Sequence, residues 1–488
     1  MSPETLIALA LALPTLGAVL IALSGGYPNL REGVTLIISC LLTGVVFALI
    51  PAVLAGARPT LDLIDIMPGT PLRFTVEPLG MLFAAVASLL WPINSLYSIG
   101  YMRANEETHQ TRFYVCFALA IASTMGVALA GNLLTLFVFY EAISLSTYPL
   151  VTHKGTSDAI KAGRVYLGIL LSTSIGLFLL AILWTGYSAG TLDFRPGGIL
   201  AGHVHGPQLG MLLFLYIFGI GKAALMPVHR WLPAAMVAPT PVSALLHAVA
   251  VVKGGVFAVV KVIVYVFGLE LLNAEAGSTY WLLYVAGFTL IVASVIALRQ
   301  DNLKLRLAYS TISQLSYIVL GAALFAPLAV MGAALHIAAH AFGKITLFFA
   351  AGSIYTAAHK TEISQLNGIG RRMPWTMGAF AVGSLSMIGL PLAAGFISKW
   401  YLLEGAFQSQ RWPAVGIIMV STLLNAAYFV PIVYAAFFKP EDSRSPAHGE
   451  APWPVVVALV ITAVLTVLLF LFPGMALKLA EQIVGEVR

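Results

Sequence analysis

The stretch WPVVVALVITAVLTVLLFLF, residues 453–472, is apolar on every side of a helix and carries no charged side chain. The stretch VYLGILLSTSIGLFLLAIL, residues 165–183, has the same character. Such runs match the roughly 20 residues that an α-helix needs to cross the hydrocarbon core of a membrane. Strands of a transmembrane barrel alternate apolar and polar residues, so helices are the spanning structure that remains. The sequence therefore predicts an all-α polytopic membrane protein.

The composition excludes a water-soluble enzyme. Of the 488 residues, 59% are hydrophobic and 9% are charged, whereas an ordinary soluble domain has about 25% charged residues. No Gly-rich phosphate loop or nucleotide fingerprint occurs, and Cys40 and Cys116 form neither a CxxC motif nor a metal-ligand cluster. We therefore predict no cofactor and no metal in this chain. The net charge of +6 does not indicate a nucleic-acid partner, because the charges follow membrane topology.

Fourteen apolar runs have the length and composition of membrane spans. We place them at 4–24, 33–55, 77–101, 112–130, 132–152, 161–186, 207–236, 240–268, 279–298, 303–325, 328–358, 374–404, 413–438 and 453–473. Positive residues collect in cytoplasmic connections. With both termini outside, fifteen Lys and Arg residues, including Arg444, lie on inner connections, and six, including Arg488, lie on outer ones. This asymmetry favours fourteen spans in the inner cell membrane with both termini outside.

The connections between the spans are short, and the longest lie around residues 56–76, 187–206 and 439–452. They are rich in Gly, Pro or mixed charge, so we predict loops and no soluble domain there. The stretch after residue 473 has the pattern of a short amphipathic helix at the membrane surface. Function is therefore expected within the membrane.

Ionisable side chains interrupt five different spans. They are Glu141, Lys222, Lys253, Lys344 and Lys399. A charged group in hydrocarbon is costly unless it is paired or faces a wet cavity, so such a series indicates an ion pathway. A carboxylate such as Glu141 stabilises a nearby lysine's proton, and separating the two groups releases that proton. Lys261 lies nearer the end of its span, where snorkelling to the interface is an equal alternative.

His336, His340 and Lys344 follow one another at intervals of four residues, which places them on one face of a helix. Histidine titrates near neutral pH, so this stripe is suited to proton relay. Two alternatives are histidines that are satisfied within the bundle and zinc binding, for which no third ligand is evident. His247, six residues before Lys253, is a weaker candidate for the same relay.

Two spans contain a proline close to a membrane lysine. Pro227 follows Lys222 by five residues, and Pro391 precedes Lys399 by eight. Proline removes a backbone donor and disrupts the preceding turn. Helices broken in corresponding positions of two halves indicate an ion pathway, whereas a lone transmembrane proline commonly produces only a kink.

Five motifs together resemble the proton-conducting antiporter-like subunits of respiratory complex I, membrane-bound hydrogenases and Mrp-type sodium/proton antiporters. They are FVFYEAISLSTYPLV (137–151), GKAALMPVHRWLPAAMVAPTPVSALLHAVAVVKGGVFAVV (221–260), LAYSTISQLSYIVLG (307–321), HIAAHAFGKITLFFAAGSI (336–354) and GLPLAAGFISKW (389–400). The resemblance covers nearly the whole chain. It implies fourteen helices with two inverted five-helix repeats, each containing one broken helix and contributing a half-channel.

The resemblance also implies domain boundaries and residue roles. The boundaries are 1–111 for the first three helices, 112–268 and 279–438 for the two repeats, and 439–488 for the last helix and tail. By motif position, the matching residues are the fifth-helix glutamate Glu141, the seventh-helix lysine Lys222, the eighth-helix lysine Lys253, the eleventh-helix relay His336 and His340, and the twelfth-helix lysine Lys399.

The residue at position 399 and the size of the chain favour one subfamily. Some complex I homologues carry glutamate at this position, whereas Mrp D-type subunits resemble this chain in having Lys399. The tail after residue 473 is also too short for the lateral helix of the largest complex I subunit. We therefore expect a D-type subunit, although the motif around Lys253 is shared with larger subunits.

Three functions are compatible with these residues. The first is a proton-translocating subunit of a multisubunit Na+/H+ antiporter, with other membrane subunits as partners and no chemistry of its own. The second is a proton-pumping membrane subunit of a redox enzyme such as complex I or a hydrogenase. The third is a stand-alone transporter of an organic solute, which would be active as an isolated chain.

Overall fold

A computed structural model describes residues 1–67, 69–441 and 447–486. Arg444 and Arg488, which enter the charge count above, lie outside the described residues. The longer helices are α1 Pro3–Leu23, α2 Pro28–Leu54, α3 Pro78–Ala104, α4 Gln110–Ala128, α5 Leu133–Val151, α6 Ser157–Ala189, α7 Gly206–Gly219, α8 Thr240–Phe267, α9 Ala276–Arg299, α10 Leu303–Ala323, α11 Pro327–Ala358, α12 Pro374–Ile388, α13 Ala394–Gln408, α14 Trp412–Phe438, α15 Trp453–Leu471 and α16 Gly474–Gly485.

The predicted helical membrane fold is confirmed. Within the described residues, eleven helices are long and apolar enough to cross a membrane. The other three predicted spans correspond to α10 and to two broken helices. The first of these is α7 with the short turns that follow it, and the second is the pair α12 and α13.

Local sequence signals set many helix starts. The side chains of Asn132, Thr156 and Asn302 each accept a hydrogen bond from a backbone N–H in the first turn of the following helix. These caps satisfy donors that have no partner within the helix. Other helices start with proline at the first position, where its missing N–H costs nothing. The polar residues and prolines between the apolar runs therefore mark where the helices begin.

The connection at 56–76 contains a β-hairpin that the sequence did not predict. Strands β1 Thr60–Met67 and β2 Thr70–Thr75 pair antiparallel. Arg73 lies opposite Asp62, and its guanidinium holds the pKa of that carboxyl below its usual value through a hydrogen bond of 2.8 Å. The hairpin is therefore an ordered element beside the helices rather than a loop.

Contacts between connections agree with the alternation of fourteen spans. On the side of the hairpin, here called the hairpin face, Arg73 is 2.6 Å from Asp193, and Arg411 lies over the Tyr280 ring. On the opposite face, Arg112 donates to the His153 carbonyl at 2.9 Å. These contacts join connections that the span count assigns to the same side.

The tail helix α16 is amphipathic, as the sequence predicts. Its apolar side chains Leu479, Ala480 and Ile483 are buried, and the helix packs against α3 and α11. The tail is thus docked on the bundle at the hairpin face.

Candidate functional site

Two helices, α8 and α11, form the buried centre of the bundle and pack against each other. Their most apolar windows are completely enclosed within the protein. Every ionisable side chain on these windows therefore faces protein rather than lipid. Such groups must find partners or water inside the bundle.

The first broken helix carries Lys222. Helix α7 ends at Gly219, and Lys222 lies in a short 3-10 turn over Gly221–Ala223. The predicted break is therefore present, although it begins before Pro227. The Lys222 ammonium donates to the Tyr140 carbonyl at 2.8 Å and lies 3.2 Å from the centre of the Tyr140 ring. The lysine is completely buried.

The predicted direct ion pair between Glu141 and Lys222 is absent from the structure. Both carboxylate oxygens of Glu141 are buried, and neither has a hydrogen-bond partner among the described residues. The ammonium is instead directed to the carbonyl of the preceding residue, Tyr140, because the break fixes the backbone of Lys222 against α5. A second hydrogen bond, from the Lys222 N–H to the Tyr140 hydroxyl at 3.1 Å, holds this arrangement.

A contact between two buried polar side chains joins α8 to α11 at the centre of the bundle. The Lys253 ammonium is in hydrogen-bond contact with Nδ1 of His340. The other ring nitrogen of His340 is buried and has no partner among the described residues. The sequence predicted Lys253 and His340 as separate relay residues, and the structure places them in contact.

The stripe on α11 continues on both sides of His340. His336 lies 6.1 Å from His340 between ring centres. Its Nδ1 contacts the Ser398 hydroxyl at 2.8 Å, and its Nε2 contacts Gln314 Oε1 at 3.0 Å. Lys344 donates to the Ser310 hydroxyl at 2.7 Å. The stripe thus contacts both α10 and α13.

His247 differs from these residues. It lies in a π-helical turn of α8, Leu245–Val249. Its ring packs on Phe348, with 4.7 Å between centres, and neither ring nitrogen has a hydrogen-bond partner among the described residues. The structure therefore leaves His247 outside these hydrogen-bonded contacts, although the residue is completely buried.

The second broken helix carries Lys399. Helix α12 ends at Ile388, Pro391 lies in the break, and α13 begins at Ala394. The Lys399 ammonium reaches back to the carbonyls of Met387 and Ile388, at 2.7 and 3.1 Å. Carbonyls at a helix C-terminus carry partial negative charge and favour a cation.

Gln314 connects Lys399 to the histidines, and the sequence pattern did not single it out. Its amide donates to the Met387 carbonyl, which Lys399 also contacts, and its Oε1 faces His336. The sequence did contain a signal for Gln314, because Ser310 and Gln314 are polar residues four positions apart within a predicted membrane span. A line of buried polar groups therefore runs from Lys399 through the Met387 carbonyl and Gln314 to His336. His340, which contacts Lys253, lies beside His336 without a hydrogen bond to it, with 6.1 Å between the ring centres.

Lys261 is not a snorkelling lysine. It is completely buried, its ammonium lies 2.5 Å from Glu77, and it donates to the Ala130 carbonyl at 2.6 Å. The snorkelling alternative is wrong because Glu77, Ala130 and Phe194 surround the ammonium at this end of α8. As for metal binding, no three His, Cys, Asp or Glu side chains within residues 1–67, 69–441 and 447–486 converge on a site.

Gly255 allows α8 to approach the first break, which gives a testable prediction. A Cβ at Gly255 would lie 2.3 Å from the Lys222 carbonyl carbon, whereas a Cβ at Gly254 would meet only the flexible end of Ile143 at 3.3 Å. We expect Gly255→Ala to destabilise the fold by about 1–3 kcal/mol, the usual range for overpacking, and to displace Lys222. Gly254→Ala is the matched control. Thermal unfolding and ion transport of the two variants measure the difference, and equal behaviour would contradict this packing role.

The fold and the site define a class, namely helical membrane proteins with two broken helices that each carry a buried lysine bound to backbone carbonyls. The family described as NADH:quinone oxidoreductase/Mrp antiporter, transmembrane, matches residues 130–425. The chain belongs to this family, and the resemblance drawn from the motifs is confirmed at that level.

Three similar proteins illustrate the range of the family. The N subunit of the NADH-quinone oxidoreductase of Desulforudis audaxviator is 33% identical over 78% of this chain and 76% of its own length. The D subunit of the Na(+)/H(+) antiporter of Alkalihalophilus pseudofirmus is 27% identical over 79% of this chain and 78% of its own. A chain of the Mrp complex from Dietzia sp. is 21% identical, with a TM-score of 0.88 over 100% of this chain and 98% of its own, and supports the fold.

Proposed function

We propose that this chain is a D-type, proton-translocating subunit of a multisubunit monovalent cation/proton antiporter, with Na+ as the exchanged cation. The observation that carries the proposal is the line of buried polar groups from Lys399 to His336, with the His340 and Lys253 contact beside it. Buried lysines and histidines that lie next to one another and contact polar neighbours are suited to stepwise proton transfer. The similarity to the D subunit of an Na(+)/H(+) antiporter supports the choice of the antiporter class.

The proposed relay uses Glu141 as a switchable partner. Both Glu141 carboxylate oxygens are buried without a hydrogen-bond partner among the described residues, so they are available to pair with a cation that moves toward them. Movement of the Lys222 ammonium from the Tyr140 carbonyl toward Glu141 would form the ion pair and retain the lysine's proton. Return to the carbonyl would favour its release.

We propose that residues 112–268 and 279–438 are two related halves, that residues 1–111 supply the first three helices, and that residues 439–488 supply the last helix and the tail. Each half contains one break, and the lysine of each break donates to backbone carbonyls. Lys253 and His340 join the halves at the centre of the bundle. We also propose that the chain lies in the inner cell membrane with both termini outside, because the outer connections carry fewer positive residues.

Other membrane subunits are the proposed partners. The hairpin exposes Leu63, Ile64 and Ile66, of which Ile64 is 65% exposed. Adjacent exposed apolar side chains on an ordered strand are typical of a contact surface. The related chain of known structure belongs to an Mrp complex.

A redox-driven proton pump is the second candidate, because one relative is an NADH-quinone oxidoreductase subunit. The two candidates predict different complexes when this chain is purified in mild detergent. An antiporter should contain small hydrophobic subunits without flavin or iron and should show sodium-dependent proton flux in vesicles. Co-purifying flavin or iron–sulfur subunits, together with flux that requires an electron donor, would overturn the antiporter proposal.

A further inference from the structure

A second buried charge cluster lies at the hairpin-face end of α8, outside the relay described above. Lys261 and Glu77 form an ion pair in which neither side chain is more than 8% exposed. The Lys261 ammonium also lies 4.5 Å from the centre of the Phe194 ring. Such a pair gains little stability over apolar packing of the same volume, so stability alone does not explain it.

The cluster has a polar route to the surface. Glu77 lies just before α3. Tyr265, four residues after Lys261 in α8, donates its hydroxyl hydrogen to Glu486 at 2.8 Å. Glu486 in turn lies 2.6 Å from Arg58, and both side chains are partly exposed, at 17% and 27%. The pair is therefore separated from the hairpin face by one layer of polar side chains.

The pair is also aligned with the central lysine. Lys253, Phe257 and Lys261 follow at intervals of four residues in the regular α-helical part of α8, Val251–Val262. They therefore lie near one face, with about 6 Å of helix rise between neighbours. Phe257 packs on Phe83 of α3, with 5.0 Å between ring centres. This aromatic pair separates the two lysines, and hydrophobic constrictions of this kind gate ion pathways by excluding water.

We propose that Lys261 and Glu77 form the proton-release site at the hairpin face, and that Phe83 and Phe257 gate it from Lys253. This inference rests on the proposed function. The Lys261 ammonium transfers a proton to the Glu77 carboxylate, which breaks an N–H bond and forms an O–H bond. The Glu77 carboxylic acid gives that proton to water that enters through the polar layer of Tyr265, Glu486 and Arg58. When the aromatic layer is wetted, the Lys261 amine takes a proton from Lys253 through water, and the initial state is restored.

Lys261→Arg tests the release site directly. Arginine keeps the ion pair with Glu77 but does not give up its proton, so the complex should assemble while proton transfer stops. We expect proton flux in vesicles to fall by about 100-fold, as for the loss of a proton-transfer group. Lys478→Arg, at an exposed position of α16, is the matched control and should retain full flux. An assembled Lys261→Arg complex with wild-type flux would overturn the proposal.

A double variant provides a second test, which does not require the buried site of Lys261 to accommodate the larger arginine side chain. Glu77→Gln combined with Lys261→Met removes both charges and leaves no unpaired ion. If the pair only anchors the hairpin to α8, this variant should transport normally, and that result would overturn the proposal. If the pair releases protons, the assembled variant should have lost flux. An absence of proton flux in the wild-type complex would instead contradict the proposed function itself.

The aromatic layer formed by Phe83 and Phe257 is tested by a separate measurement, the passive proton leak. Phe257→Ala should admit water between Lys253 and Lys261 and raise the passive proton leak by about tenfold, whereas Phe257→Leu keeps the layer apolar and should remain tight. Phe83→Ala opens the same layer from α3 and gives a second measurement. Assembled alanine variants that leak no more than the wild type would contradict the gate.

Discussion

Lys222→Met is expected to reduce proton transport by the assembled complex about 100-fold or more, the effect of removing a single proton-transfer group. Methionine replaces the apolar stem of lysine with a chain of similar length and lacks only the terminal ammonium, so the first break should keep its packing. The hydrogen bond to the Tyr140 carbonyl and the contact with the Tyr140 ring are lost. The measurement is cation-driven proton flux in vesicles containing the purified complex.

The matched control for this prediction is Lys161→Met. Lys161 has the same side chain, but 76% of it is exposed, and its partner Asp158 is also a surface residue. This variant should transport at the wild-type rate. Normal transport by an assembled Lys222→Met complex would end the hypothesis that Lys222 carries protons.

The sequence predicted the spans well because membrane helices are specified by local properties. About 20 consecutive apolar residues are enough to cross the bilayer, and an α-helix satisfies the backbone hydrogen bonds within the segment itself. The position of a span can therefore be predicted without knowledge of its tertiary contacts. Capping residues such as Asn132 and Asn302 then fixed the helix starts. The hairpin at 60–75 was missed because it is fixed by pairing between segments, namely between its two strands and between Phe74 and Ala130, which the sequence does not show.

The site was predicted as a set of residues but not as a set of contacts. Chemistry alone singled out Lys222 and Glu141, since any charge in an apolar run is conspicuous. Their contacts depend on the backbone at the break, which directs Lys222 to the Tyr140 carbonyl. The π-helical turn that carries His247 likewise has no sequence signature, so its isolation from the relay could not be read from spacing.

Lys261 shows a different limit of prediction from sequence, because its role depends on a partner that is distant in the chain. Its place near the end of a span made snorkelling a reasonable interpretation, because long side chains commonly reach the interface there. Glu77, its partner, is the first residue of the third predicted span, 184 positions away in the chain. Pairing between distant segments requires the fold, which places the end of the hairpin against α8.

Lys399→Met should stop proton transport as completely as Lys222→Met, by about 100-fold or more, if both halves lie on one path. Lys399 occupies the second break, where Gly389 adopts a φ of +89° at the end of α12. A Cβ on Gly389 would lie 2.6 Å from Lys399 Cδ, so glycine both permits the turn and leaves room for the lysine. The flux assay used for Lys222→Met measures the effect, and Lys439→Met, at an exposed position after α14, is the control.

In both halves the buried lysine donates to backbone carbonyl oxygen, Lys222 to one carbonyl of α5 and Lys399 to two carbonyls at the end of α12. This common feature makes the Lys399 result decisive. Carbonyls at the end of α12 stabilise the charged ammonium without neutralising it, because they carry only partial negative charge. A full carboxylate would hold the proton more tightly, whereas carbonyl oxygens leave Lys399 able to release it. If Lys399→Met transports normally while Lys222→Met does not, protons cross through the first half alone. The hydrogen bonds from Lys399 to Met387 and Ile388 would then serve to close the second break.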